Sequence, residues 1–146
     1  MKKLLVLAVA LVTAAGISVA IATASPSRDG DLHLKKECSA YTGLADSFCT
    51  ITASNLKLIK VGSRVVYLQA AGTTSLDSDI VLVVGPGNYA LGHVKLDPTT
   101  GLGKVSLSGG AGTFASFHAD ARVSPPGGVN GADWAWDGFY RFGWRD

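Results

Sequence analysis

His118, Asp120 and Arg122 alternate along one short run of this 146-residue chain. In an extended strand, side chains two residues apart share a face, so this spacing sets an imidazole beside a carboxylate and a guanidinium. A histidine next to a carboxylate can serve as a general base near neutral pH, which makes His118 and Asp120 the catalytic candidates. The simpler reading of the same three residues is the wet exterior of a sheet. Other catalytic machinery is missing. No G-x-S-x-G elbow occurs, and Ser106 and Ser108 fall within a strand pattern. Gly103-Lys104 is followed by Val105, with Pro98 where a phosphate loop needs its first glycine. His33, His93 and His118 stand far apart in sequence without a ligand pair, so no metal site is predicted. A calcium loop starting at Asp77 would end on Asn88 where glutamate is required. Leu76-Asp77-Ser78-Asp79 therefore reads as a turn before a strand over 79–84. No cofactor is predicted.

The stretch WAWDGFYRF, residues 134–142, raises a different chemistry. Alternation puts Trp134, Trp136, Gly138, Tyr140 and Phe142 on one face, and Ala135, Asp137, Phe139 and Arg141 on the other. Large aromatic rings with a polar tip stack flat or hydrophobic ligands, so Trp134, Trp136 and Tyr140 are the ligand-binding candidates. Barrel core is the equal alternative. Asp137, between Trp136 and Gly138, reads as a carboxylate satisfying backbone donors beside a bend.

These residues need elements to hold them, and the chain offers short β-rich runs broken by Gly, Pro, Asn and Asp. Strand patterns cover 49–56, 64–70, 79–84, 89–96, 103–109, 113–124 and 134–142, and one around His33 to Ala40 makes eight. Turn signals separate them at Val61-Gly62-Ser63, Gly85-Pro86-Gly87-Asn88, Asp97 to Gly101, Gly109 to Gly112 and Pro125 to Gly131. The apolar sets are Ala90, Gly92, Val94 and Leu96, and Val105 and Leu107. Residues 113–123 divide into Ala115, Phe117, Ala119, Ala121 and Val123 on one side and Phe114, Ser116, His118, Asp120 and Arg122 on the other, with the inward side left open. No capped helical stripe occurs after residue 24. Short strands with short connections predict an all-β domain, a single antiparallel eight-stranded β-barrel.

The chain begins as a secretory leader does. Lys2 and Lys3 precede an apolar run from Leu4 to Ala24 that ends Ala22-Thr23-Ala24, an A-x-A pattern. Residues 1–24 are thus predicted to be a signal peptide, 25–36 a polar flexible leader, and 37–146 the barrel domain. Loss of Lys2 and Lys3 takes Lys+Arg from 13 to 11, equal to the 11 Asp+Glu. A near-neutral protein lacks the cationic surplus that nucleic acid or an anionic membrane surface requires. Cys38 and Cys49, delivered to an oxidising compartment, are expected to form a disulfide. The predicted location is extracellular or periplasmic.

Three further pieces carry a resemblance. They are Thr100-Gly101-Leu102-Gly103 closing a hairpin, Gly110-Ala111-Gly112-Thr113-Phe114, and Trp136-Asp137-Gly138-Phe139-Tyr140-Arg141-Phe142. With the small-residue strand between the last two, residues 49–142 resemble the allene oxide cyclase-like β-barrel family, relatives of the dirigent proteins. The resemblance implies an eight-stranded barrel with a hydrophobic central cavity, in a family often oligomeric, and a secreted bacterial member of it. It also implies cyclase or isomerase activity by shaping a reactive intermediate, as in the plant enzymes. No catalytic residue of the family carries over, and the leader and disulfide depart from the plant cyclases. Three functions stay open at this point: a carrier of a small hydrophobic molecule, an isomerase or cyclase working by confinement, and an extracellular interaction protein with a filled barrel.

Overall fold

The computed structural model describes residues 28–126 and 133–143. The predicted signal peptide lies outside them, as does the turn expected before Gly131 from residue 127 onward. Eight strands follow one another: β1 (Asp29–Glu37), β2 (Phe48–Ser54), β3 (Arg64–Tyr67), β4 (Leu76–Gly85), β5 (Asn88–Asp97), β6 (Leu102–Ala111), β7 (Phe117–Ser124) and β8 (Asp133–Phe142). Each pairs antiparallel with its neighbour, and β8 closes onto β1 along nine residue pairs, from Asp29↔Arg141 to Glu37↔Asp133. The result is the closed antiparallel eight-stranded barrel. Closure leaves no sheet edge unpaired.

Three local readings change. Residues 29–36 are not a leader but most of β1, where Leu32, Leu34 and Lys36 are buried and Asp31, His33 and Lys35 are exposed. The polar half of that alternation, together with Asp29-Gly30, mimics a loop composition. Leu76 to Ser78 is not a turn, because it pairs with Val94 to Leu96 as the start of β4. The strand expected from 113 begins only at Phe117, since 112–114 form a single 3-10 turn that sends Phe114 into the core.

Two irregularities keep the faces in phase. Opposite Lys35 and Lys36 the register passes from Ala53 to Ile51. The bulge at Thr52 keeps exposed Ala53 beside exposed Lys35 and buried Ile51 beside buried Lys36. Between Ala90 and Gly92 the β5–β6 register shifts again, and Gly109 takes up the extra residue at φ +75°, a conformation glycine adopts freely. Gly138 has another role. A Cβ there would run into the backbone carbonyl of Asp120 on β7, so a glycine lets β7 and β8 curl tightly at this point.

The interior has two unlike ends. Strands β2, β4, β6 and β8 run away from the end at which the β1–β2, β3–β4 and β5–β6 connections gather, here termed the upper end. The lower half is solid. Phe117, fully buried, meets Phe114 edge-on with centroids 5.3 Å apart, Phe142 at 5.1 Å and Tyr140 at 6.2 Å. Such aromatic pairing adds about 0.5–1.5 kcal/mol per pair to the area buried. The Tyr140 ring lies over Gly30, where a Cβ would sit 3.3 Å from its Cε1 and hydroxyl. The upper half is packed less completely, and the polar interior groups gather there. Among the described residues no helix is long and apolar enough to cross a membrane.

Candidate functional site

The third buried position of β1 is a lysine. Lys36 is 4% exposed, and its cross-strand partners are Trp134 on β8 and Ile51 on β2. Its Nζ donates to the Tyr67 hydroxyl at 2.8 Å. The same nitrogen lies 3.6 Å from each sulfur of the Cys38–Cys49 disulfide. Three rings surround it, with Nζ 5.5 Å from the centroid of Tyr67, 5.7 Å from Trp134 and 5.5 Å from Trp136. These face a cavity of about 60 Å³. Tyr41, from the β1–β2 connection, completes the wall, its ring 4.7 Å from that of Tyr67. Leu76, Val94 and Val123 supply the apolar part.

The electrostatics follow from burial. Among the described residues no carboxylate lines this cavity, so an ammonium taken out of water meets only the Tyr67 hydroxyl and the three ring faces, with no opposite charge beside it. Burial pulls the Lys36 amine down from 10.5 to about 7, because desolvation disfavours the charged form. Ammonium and free amine therefore coexist at neutral pH. Burial also pushes the Tyr67 phenol up, with neighbouring Tyr41 adding to the effect. Tyr67 remains a proton donor wherever Lys36 is a free amine. When Lys36 is neutral, its lone pair can accept the phenol proton, and the pair can exchange roles without a counter-ion.

Two of the side chains that line this space carry a further buried polar atom. The Tyr41 hydroxyl and the Trp136 indole Nε1 are buried and find no hydrogen-bond partner among the described residues. Ser63 Oγ shares that condition but belongs to the lower β2–β3 connection. Buried donors are normally satisfied, and leaving one unpaired costs about 1–3 kcal/mol. Two of them beside a buried amine make the upper cavity a polar-tipped, apolar-walled pocket. It is suited to a molecule with hydrogen-bond acceptors at one end.

The residues singled out by sequence divide accordingly. Trp134 and Trp136 line the cavity. Tyr140 faces inward too, but four residues from Trp136 along β8 is about 13 Å at the usual strand rise, and it belongs to the lower aromatic cluster. His118 and Asp120 are on the outer face of β7, where His118 Nδ1 lies 3.3 Å from the Ser108 hydroxyl and Asp120 is exposed. This is the wet-exterior arrangement, and it keeps both away from the cavity. Asp137 is also outside, bonded to His33 Nδ1 at 2.7 Å.

Lys36, Tyr67 and Tyr41 are the residues that sequence reasoning missed. One signal for Lys36 was present. Leu32 and Leu34 set an inward parity, and Lys36 is the next member of that series.

The disulfide forms part of the cavity wall as well as a staple, and it points to an oxidising compartment. It closes a loop with a sequence separation of 11, worth about 3 kcal/mol on chain-entropy grounds. A Cys38→Ala/Cys49→Ala double variant is expected to lose that much in urea denaturation, and an unchanged midpoint would refute the estimate.

Comparison with protein-family models, with curated proteins and with solved structures finds no match to this chain.

Proposed function

We propose that this chain is a secreted barrel protein that binds a small, mainly apolar molecule in its upper cavity. The polar end of that molecule would be held by Lys36, Tyr41, Tyr67 and Trp136. One observation carries the reading: Tyr41 and Trp136, whose buried hydroxyl and indole have no hydrogen-bond partner among the described residues, line a cavity together with a buried amine. The cavity is well below the roughly 300–1,000 Å³ of drug-sized pockets, so the occupant, or the part of it that enters, is compact. The A-x-A-terminated leader and the disulfide support export. The resemblance to allene oxide cyclase-like barrels supports binding in the barrel axis. The Lys36–Tyr67 pair also favours a second reading, an isomerase or cyclase that confines a reactive substrate and moves one proton between these groups.

Tyr41→Phe tests the binding role against a structural one. Removing a buried hydroxyl that has no partner among the described residues should stabilise the unliganded protein by about 1 kcal/mol. The same change should weaken occupancy of the cavity by small ketones and alcohols about fivefold in saturation-transfer NMR, through loss of one hydrogen bond. A variant that loses stability and binds equally well would show that the hydroxyl serves the fold alone. Val94→Phe, which fills the cavity, should abolish occupancy.

A further inference from the structure

We propose that Lys36 captures a small aldehyde or ketone as an imine inside the upper cavity, an assignment that rests on that cavity being a binding site. The geometry supplies each requirement. The nucleophile is buried, so the adduct is shielded from bulk water. The Tyr67 hydroxyl is 2.8 Å from the attacking nitrogen, close enough to pass a proton to the carbonyl oxygen as it develops charge. The Trp136 indole and the Tyr41 hydroxyl, both buried donors without a partner among the described residues, belong to side chains that line the same cavity. They can hold that oxygen as an oxyanion hole would. The aromatic and aliphatic walls accept the apolar remainder of the carbonyl compound.

The chemistry balances without any further reagent. The Nζ lone pair attacks the carbonyl carbon, and the π electrons move to oxygen, which is protonated by Tyr67. The tetrahedral adduct returns a nitrogen proton to the phenolate and becomes a neutral carbinolamine. Its hydroxyl then leaves as water, taking the second proton that nitrogen gives up, and a carbon–nitrogen double bond forms. Amine plus carbonyl gives imine plus water, and nothing is oxidised or reduced. Lysines used this way need a free amine at working pH, which burial supplies here.

The test is reductive trapping. The oxidised full chain is incubated at pH 7 with propanal and sodium cyanoborohydride, and propylated lysines are located by fragmentation mass spectrometry. Exposed lysines are almost wholly protonated at this pH. Lys36 should therefore label at least about tenfold faster than its exposed neighbour Lys35. Tyr67→Phe should slow Lys36 labelling about tenfold and leave Lys35 unchanged. Val94→Phe should abolish labelling at Lys36 alone. Labelling of Lys35 with Lys36 untouched overturns the proposal, as does Lys36 labelling that Val94→Phe leaves intact. Propan-1-ol, similar in size and unable to form an imine, separates the two levels of inference. If propanol occupies the cavity by saturation-transfer NMR and Lys36 resists propanal, the imine is wrong and the binding site stands. If neither molecule enters, both fall.

Discussion

Lys36→Met should make this protein more stable, by roughly 2–5 kcal/mol near pH 6. The upper figure corresponds to lowering the amine from 10.5 to about 7. Methionine has nearly the volume of the lysine stem, so the aromatic wall around it need not collapse. The gain should depend on pH with a definite sign. Below about pH 7 the amine is charged in both folded and unfolded chains, and the full cost of burying the charge is present. Between about 7 and 10.5 the unfolded chain still binds the proton that the folded chain has released, so stability of the native protein rises with pH. Above about pH 10 the trend reverses. The Tyr67 phenol, pushed up by burial, keeps its proton when folded and loses it when unfolded. Tyr41 is displaced in the same direction. These are the titratable groups that share the cavity with Lys36.

Urea denaturation near pH 6, 8 and 9.5 checks this. The native chain should gain stability across the series, and the methionine variant should be flat by comparison. Equal slopes with no gain near pH 6 would mean that Lys36 is solvated in solution. The expected result has a functional meaning. A side chain whose removal strengthens the fold is not there to strengthen it, and a trade of stability for activity is the usual reason for such a group. The same variant should lose every trace of propanal trapping at position 36.

Phe117→Ala should be the most damaging single truncation, at about 3–5 kcal/mol. The ring is fully buried and touches Phe114, Phe142 and Tyr140. Its loss removes the transfer free energy of the phenyl group and leaves a cavity where four rings met. The surrounding strands are closed into a barrel and cannot move inward independently, so the site collapses poorly. Phe139→Ala is the control, since that ring is 69% exposed on the outer face, and its change should stay within about 0.5 kcal/mol. Comparable losses for the two would show that the lower half is not the solid plug described here. Because the plug and the upper cavity occupy opposite halves of the interior, Phe117→Ala should leave trapping at Lys36 intact in the folded fraction.

Much of the architecture was readable from residue order. Turn residues at short intervals and alternation in 89–96, 103–109 and 134–142 led to antiparallel neighbours and to a barrel. The alternation also placed Trp134 and Trp136 inward, and the paired cysteines led to a disulfide. These features are local. A strand's two faces and the turn that ends it depend on residues within a few positions of each other.

The site was not local. Alternation divides 117–123 into two faces but does not say which one a closed sheet turns inward. Packing of Phe117, Ala119, Ala121 and Val123 decided that, and it sent His118 and Asp120 outward. Trp136 and Tyr140 share a face in sequence, yet the rise along β8 assigns one to the cavity and the other to the plug. Lys36 is the sharpest case. Lysine is almost never fully buried, so a polar run containing it reads as surface until β1 is clamped between β2 and β8. Composition and spacing by themselves determined the fold class, the staple and the inward aromatic face. Only the tertiary structure decided that a lysine of β1, a tyrosine of β3, a tyrosine of the first connection and a tryptophan of β8 meet in one cavity. Their meeting depends on barrel closure, which joins residues up to 100 positions apart, Lys36 and Trp136, and which no short stretch of sequence encodes.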